Sequence, residues 1–269
     1  RAASGADAAV RESMGEIFNQ LEQWSREKES MRNALVEGVK AQLSDDQLAA
    51  WDSFDRFLTR EKSLPKARLS GEGTNLFLAL DEAQTSDPAF DAVEKMFDDY
   101  EVRLHEALVA RDRYLETSAP QMYKALQESN VDRAEQIMRR QVDLRRAVRD
   151  VNDEYRKSMV AAMNEVDEAS AASFDRLALE RSYQRATRPT RAARSIDAAL
   201  GMELPTETLE AVQALAAEYA AVDDGITRRL INEMRKTEPD QQVEQINRMV
   251  AMIDGDFRGA FDRGAGGDD

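Results

Sequence analysis

The sequence predicts an all-α protein built from long antiparallel coiled-coil hairpins, which shorter helices connect. Three observations support this fold class. Charged residues make up 33% of the 269 positions, while Gly and Pro number only 12 and 6, a composition typical of long solvated helices. Apolar residues recur at steps of three and four over several long stretches, which is the pattern of a coiled-coil seam. Helix-breaking residues divide these stretches into separate elements.

Two helices are predicted before residue 63. A seam predicts the first, over 7–42, and it consists of Val10, Met14, Ile17, Leu21, Trp24, Met31, Leu35 and Val39. The second, over 45–62, begins after Ser44, which stands three positions before Gln47 as in a capping box. Its apolar face consists of Leu48, Trp51, Phe54 and Leu58. A basic loop over 63–71 follows.

The middle of the chain contains a short helix and two long ones. The short helix covers about 74–84, and Asp87 followed by Pro88 marks the start of the next helix. That helix runs to about 117, where Pro120 interrupts the pattern. Asn130 caps the following long helix. We expect this helix either to continue to Arg185 or to break near Asn164.

The last helices are predicted from residue 206 onward. Thr206 begins a seam of Leu209, Val212, Leu215, Tyr219, Val222, Ile226, Leu230 and Met234. Pro239 and Asp240 have the sequence of a new helix start, so we expect a final helix from there through Ile253. The Gly- and Asp-rich tail, 264–269, is expected to be disordered.

An internal duplication would explain this order of elements. Three pairs of residues lie 119 or 120 positions apart: Phe54 with Phe174, Tyr100 with Tyr219, and Pro120 with Pro239. The alternative is chance similarity between amphipathic helices. The duplication predicts a first helical repeat over 1–125, a second over 126–263 that shares a long linking helix, and the tail.

Charge and composition exclude several classes of protein. The formal net charge is -15, which argues against a nucleic-acid partner because such binding depends on clustered Lys and Arg. The absence of Cys excludes disulfides, thiol catalysis and thiolate metal sites. No apolar run reaches the ~20 residues that span a bilayer, so we expect no membrane insertion. The first residue is Arg1 and not Met, so we expect that a leader has been removed.

The sequence contains few residues for catalysis or metal binding. His105 is the only histidine, and Glu101 lies one helical turn before it. Glu101 and His105 are weak metal candidates, because one His with carboxylates is a short ligand set, and a surface pair is the alternative. Gly71-Glu72-Gly73 is too short for a phosphate loop. We therefore expect no cofactor and no enzymatic activity.

Two groups of residues are candidates for partner binding. The arginines of the segment 181–194, including Arg185, Arg188 and Arg191, could bind an anionic partner, or they could face acidic helices or solvent. Trp24 and Trp51 lie on apolar faces and are expected in the core. Phe54, on the same apolar face as Trp51, is a further binding candidate. If these aromatic residues are exposed, they mark a client surface.

The segment Leu43-Ser44-Asp45-Asp46-Gln47 resembles the L-T-x-x-Q motif (LTXXQ) of Spy/CpxP-like periplasmic stress proteins. Ser44 stands where that motif has Thr. The basic loop and long antiparallel helices that follow are also similar to that family. The resemblance implies an all-helical, exported and usually dimeric protein, with chaperones and stress-signalling modulators among its relatives. Because Ser44 is expected to cap a helix, we interpret Leu43, Ser44 and Gln47 as a structural motif and not as a binding site.

These observations lead to three hypotheses of function. The first is a non-enzymatic periplasmic protein that binds unfolded or envelope protein clients or modulates an envelope stress response. The second is a structural coiled-coil protein that forms homo-oligomers or filaments. The third is a periplasmic metal sensor. Exposed apolar grooves would favour the first hypothesis, and self-complementary seams would favour the second.

Overall fold

The computed structural model describes residues 16, 20, 23, 24 and 26–253, the last three by their backbone alone. Of these residues 84% are helical and none is in a strand, which confirms the all-α prediction. The coiled-coil packing stays a prediction. The predicted seam positions from Val10 to Leu21 and the tail 264–269 lie outside the described residues.

The described residues form nine α-helices, which we number in chain order. α1 is described without a gap over 26–40. The others are α2 (Asp45–Ala49), α3 (Trp51–Ser63), α4 (Leu76–Ala83), α5 (Asp87–Gln127), α6 (Val131–Asn164), α7 (Glu168–Ser182), α8 (Arg191–Leu200) and α9 (Thr206–Ile253). A short 3-10 helix, Leu64–Lys66, follows α3.

The chain divides into two compact units, Arg1–Phe57 and Leu58–Asp269. The predicted repeats over 1–125 and 126–263 stay a prediction. α5 runs unbroken to Gln127 and packs along α6.

The first unit confirms the predicted capping box. The N–H of Gln47 donates to Ser44 Oγ at 3.4 Å, and the N–H of Ser44 donates to Gln47 Oε1 at 3.0 Å. The predicted single helix over 45–62 is instead two helices, because the N–H of Ala50 turns back to the Gln47 carbonyl at 3.2 Å. Trp51 is buried, and the Lys40 ammonium lies 5.0 Å from its ring centroid.

The second unit is organised around the antiparallel pair α5 and α6. Tyr100 on α5 donates to Asn152 on α6 at 2.9 Å, and Gln141 on α6 donates to Ser118 on α5 at 3.0 Å. Helices α4 and α7 pack on one end of this pair. The main core includes Leu76, Leu80, Val93, Phe97, Leu104, Leu108, Val148, Met159, Met163 and Phe174. A smaller core where α5, α6 and α9 meet contains Ala125, Ala134, Ile246 and Val250.

The helix starts follow the sequence closely. Asn130 caps α6 by accepting the N–H of Arg133 at 3.0 Å, as predicted. α6 ends at Asn164, so the second of the two alternatives for this helix is correct. α5 begins one residue earlier than expected, since its N-cap is Ser86 and Asp87 is already helical.

Pro120 was expected to interrupt a helix and Pro239 to begin one, but both lie inside continuous helices. Pro120 lies within α5 and Pro239 within α9. A proline removes one N–H and leaves the carbonyl four residues earlier without its helical partner. For Pro239 that carbonyl belongs to Arg235, and the guanidinium of Arg149 donates to it at 3.2 Å. Packing against α6 therefore replaces the hydrogen bond that Pro239 removes.

The residues paired by the predicted duplication differ in their surroundings. Phe54 is exposed, whereas Phe174 is fully buried. Tyr100 is fully buried in the α5–α6 core, whereas Tyr219 is partly exposed and contacts Thr190 before α8. The structure gives the duplication no support at these positions, and it stays a prediction.

Candidate functional site

The loop that joins α3 to α4, residues 64–75, ties together several helices of the second unit. Its carboxylate Glu72 is fully buried. Glu72 Oε2 accepts two backbone N–H groups of its own loop, at 2.7 and 3.0 Å. Its Oε1 accepts the guanidinium groups of Arg111 on α5, at 2.7 Å, and Arg145 on α6, at 2.8 Å. One carboxylate therefore fixes the loop to both helices of the central pair.

A second carboxylate completes this buried ion cluster. Arg111, fully buried, also donates to Asp112 at 2.6 Å and to the Ser63 carbonyl at 2.6 Å. Asp112 accepts the Lys66 ammonium at 2.7 Å. Burial would raise the pKa of Asp112, but the hydrogen bonds from Lys66 and Arg111 outweigh it and lower that pKa. Buried charges are tolerated when they are paired in this way.

Position 71 of the loop requires glycine. Gly71 has a φ of 82°, in the left-handed region that side chains disfavour. A Cβ there would lie 3.0 Å from both Tyr183 Oη and Arg149 Cγ. Both backbone polar groups of Gly71 form hydrogen bonds. Its N–H donates to the Ser182 carbonyl at 2.7 Å, and its own carbonyl accepts from the Asn152 side chain at 2.8 Å. The close approach holds the loop against α6 and the end of α7.

Tyr183 links the end of α7 to α6 and α9. Its hydroxyl donates to Asp153 at 3.0 Å and accepts from Arg235 on α9 at 3.2 Å. Burial raises the pKa of Tyr183 to about 12, so the hydroxyl keeps its proton at neutral pH. Arg235 also forms ion pairs with Asp153 and, at 3.1 Å, with Asp150.

An open cleft of about 800 Å³ lies beside this loop. The residues around it come from the loop, α6, the end of α7 and α9. Its charged lining residues are Arg68, Arg145, Arg181, Arg185 and Glu238. Four cations and one carboxylate make this arginine-lined cleft positive, in contrast with the formal net charge of -15. The carboxylate of Glu238 is itself bonded to Ser70, whose N–H and hydroxyl donate at 2.8 and 2.6 Å. The cleft therefore has the electrostatic character of an anion site.

The structure places the predicted arginine candidates in different surroundings. Arg185 lines the arginine-lined cleft, whereas Arg188 and Arg191 are exposed and are not among its lining residues. The structure thus brings Arg185 together with Arg68, from the basic loop that the sequence singled out.

The aromatic candidates belong to the first unit and differ in their exposure to solvent. Trp51 is 8% exposed, as expected for a core residue, and its ring meets that of Phe54 edge to face at 5.5 Å. Phe54, the binding candidate on the same apolar face, is exposed. Trp24 is 58% exposed, so its expected core position is wrong, and the Lys28 ammonium lies 5.0 Å from its ring centroid.

The weak metal candidates do not form a ligand set with each other. Glu101 pairs with Arg60 at 3.2 Å, and both side chains are nearly buried. His105 Nδ1 is buried and has no hydrogen-bond partner within the described chain. Over the residues that the structure describes, no group of three or more His, Asp or Glu is arranged to hold a metal ion.

Sequence reasoning missed the buried ion cluster. In the sequence Glu72 stands between two glycines, in a segment too short for a phosphate loop. The sequence of α6 does contain a pattern that could have indicated partners for Glu72. Polar residues recur there at steps of four, four and three beside the apolar seam. These residues are Gln141, Arg145, Arg149 and Asn152. Such a stripe indicates a helix face that packs against polar groups of the same chain.

No protein-family model, curated protein or solved structure matches the chain. The resemblance to Spy/CpxP-like proteins therefore stays a prediction. Among the helices that the structure describes, none has the length and apolar character to cross a membrane.

Proposed function

We propose that the chain is a non-enzymatic protein that binds unfolding protein clients through exposed apolar helix faces. The observation that carries this proposal is the first half of α9, residues 206–230. Four apolar residues there lie on one face and are between 42% and 57% exposed: Leu215, Val222, Ile226 and Leu230. We call this row the α9 apolar face.

The length of the α9 apolar face distinguishes it from ordinary surface residues. Single exposed apolar residues are normal on proteins. A continuous exposed row instead marks an interaction surface. From Leu215 to Leu230 the helix rises about 22 Å, which is roughly four turns. An amphipathic segment of a partner can cover such a row along its whole length.

The charge around the α9 apolar face favours a basic client. No Lys or Arg occurs between residues 203 and 227, and of the two arginines at the end of the face, Arg228 and Arg229, the first is bonded to Asp224 at 2.8 Å. The acidic residues of this segment are Glu203, Glu207, Glu210, Glu218, Asp223 and Asp224. Complementary charge speeds association and selects partners, whereas like charges oppose it. A client segment with apolar and basic residues fits this surface better than a second copy of the same acidic helix, which the structural alternative requires.

The non-enzymatic part of the proposal is supported by the surroundings of the buried ionisable groups. Glu72 and Arg111 are bonded to each other inside the core, and Asp153 is bonded to Tyr183 and Arg235. These groups fix helices in place. A periplasmic location and a role in envelope stress belong to the proposal solely through the resemblance of Leu43–Gln47 to the L-T-x-x-Q motif.

A pair of double variants tests the proposal. Val222→Ser with Ile226→Ser removes the centre of the α9 apolar face, and Val102→Ser with Val109→Ser removes two exposed valines of α5 as a matched control. Light scattering follows the aggregation of reduced lysozyme, a basic protein, and of reduced α-lactalbumin, an acidic one. We expect the natural chain and the α5 variant to suppress lysozyme aggregation more than that of α-lactalbumin.

The α9 variant should lose most of this suppression. Equal suppression by both variants, or none by the natural chain, would contradict client binding at this face. Growth of the natural chain into large assemblies with rising concentration, abolished in the α9 variant, would favour the structural alternative.

A further inference from the structure

The arginine-lined cleft has two chemically different ends. At one end the loop 64–75 and the residues after α7 contribute the arginines. At the other end lie three apolar residues, Met138, Ile246 and Met249. Between the two ends, α6 and α9 contribute the glutamines Gln141, Gln241, Gln242 and Gln245. Met138 on α6 packs against the small core that contains Ile246 on α9. Along α9 the cleft extends from Glu238 to Met249, a rise of about 16 Å.

We propose that this cleft binds an amphiphilic organic carboxylate, whose carboxylate lies at the arginine end and whose hydrocarbon lies at the methionine end. The ligand class follows from the two ends taken together. Guanidinium groups bind planar carboxylates through two parallel hydrogen bonds. Small-ligand sites of ~300–1,000 Å³ combine apolar lining with a few convergent polar groups, and about 800 Å³ falls within that range.

The arginine end has free hydrogen-bonding capacity. Within the described part of the chain, the guanidinium groups of Arg68 and Arg185 make no hydrogen bond or ion pair. Arg181 pairs with Glu82, but its Nε is buried and has no partner among the described residues. Glu238, the one acidic residue of the lining, is already bonded to Ser70. A ligand carboxylate supplies the acceptors that these donors lack.

The electrostatic potential at the arginine end of the cleft is also positive. Burial lowers the pKa of the Arg145 guanidinium, and the nearby charges of Arg111 and Arg68 lower it further, while Glu72 raises it. Arg111 has Asp112 as a second carboxylate partner, whereas Arg145 has only its share of Glu72 among the ion pairs of the described residues. An added anion beside Arg68 and Arg145 therefore relieves repulsion among cations that the protein leaves partly uncompensated.

Isothermal titration calorimetry at constant ionic strength tests the proposal with three probes. These are sodium octanoate, sodium butyrate and sodium phosphate. Burial of a methylene contributes ~0.8 kcal/mol, which is about fourfold in affinity. Because octanoate has four more methylenes than butyrate, we expect it to bind at least tenfold more tightly. Phosphate, which has no hydrocarbon, should bind more weakly than octanoate.

Two matched variants assign the binding to the cleft. Arg68→Gln with Arg185→Gln removes the two unpaired guanidinium groups, and Arg188→Gln removes an exposed arginine of the same segment that does not line the cleft. We expect the double variant to lose at least tenfold in octanoate affinity and Arg188→Gln to keep it. Thermal unfolding checks that both variants stay folded.

A third variant tests the apolar end. Met249→Gln should weaken octanoate binding while leaving butyrate binding unchanged. Three results would overturn the proposal: no saturable binding of octanoate, equal octanoate affinity in the double variant and the natural chain, or phosphate binding as tight as that of octanoate. The last result would describe a plain anion site.

Discussion

The two halves of α9 have the same apolar spacing but different surroundings. In the second half, Ile231, Val243, Ile246 and Val250 are buried. In the first half, 206–230, no residue is buried. The second half also carries polar contacts to the rest of the unit, through Glu238 to Ser70 and through the Arg235 carbonyl to Arg149. A seam therefore identifies a helix face suited to burial, and only additional polar contacts show that the same chain covers it.

The buried ion cluster should give the largest effect on stability. Glu72→Gln keeps the shape of the side chain but removes the charge that Arg111 and Arg145 share. Breaking a buried ion pair in this way costs about 3–5 kcal/mol in the free energy of unfolding. Glu210→Gln, in the exposed first half of α9, should change it by less than ~0.5 kcal/mol. Urea unfolding measures both, and equal effects would contradict the assigned role of Glu72.

A matched pair of isoleucines compares the two halves directly. Ile246 is 6% exposed and Ile226 is 49% exposed, on the same helix. Ile246→Ala should destabilise the protein by about 2–5 kcal/mol, because it removes buried methyl groups and leaves a cavity. Ile226→Ala should cost less than ~0.5 kcal/mol. A large cost at Ile226 would mean that the α9 apolar face is covered in the folded protein.

The comparison extends to a helix that has no buried residue at all. α2 is such a helix, and its start depends on the capping box of Ser44 and Gln47. Ser44→Ala should therefore cost about 1 kcal/mol. Ser30→Ala, at an exposed position within α1, is the control and should be neutral or slightly stabilising. If Ser44→Ala leaves stability unchanged but abolishes partner binding, the motif is a binding site and not a structural one.

The smallest effect concerns the cap of α7 and depends on pH. Hydrogen bonds from the hydroxyls of Ser170 and Ser86, both at 2.6 Å, lower the pKa of Asp167 to about 2. Because the folded pKa lies below the unfolded value of ~3.9, the carboxylate stabilises the fold above pH ~4. That stabilisation is lost as the pH falls toward 2.

Asp167→Asn isolates the charge, since Asn is also a good N-cap residue. The natural chain should be more stable than this variant at pH 6, and the difference should shrink at pH 3. Urea unfolding at the two pH values checks this. A difference that grows on acidification would contradict the assignment of the lowered pKa to Asp167.

The sequence predicts features that depend on neighbouring residues along the chain. The cap at Ser44 and the cap at Asn130 are such features, because their hydrogen bonds join residues three positions apart. The all-α fold follows in the same way from the period of the apolar residues. The break near Asn164 was one of two alternatives, since local propensity does not decide it.

The sequence did not predict features that depend on contacts between residues far apart in the chain. Pro239 lies inside a helix because Arg149, ninety positions away, donates to the carbonyl it leaves unpaired. Glu72 became a buried ion partner because α5 and α6 bring Arg111 and Arg145 to the same loop. Trp24 and Phe54 lie on apolar faces that the described structure leaves exposed, which the period of a seam does not reveal.

The contact between Arg149 and the Arg235 carbonyl fixes the axial register of α9 on α6. Apolar contacts of a seam recur every three or four residues, so they remain partly satisfied if a helix slides by one turn of about 5.4 Å. The unpaired carbonyl occurs at one position, set by Pro239, and the donor at one position on α6. Sliding by a turn would separate the two groups and break this hydrogen bond, and a hydrogen bond from a charged group contributes about 1.5–3 kcal/mol. The proline therefore makes one alignment of the two helices preferable to its near neighbours.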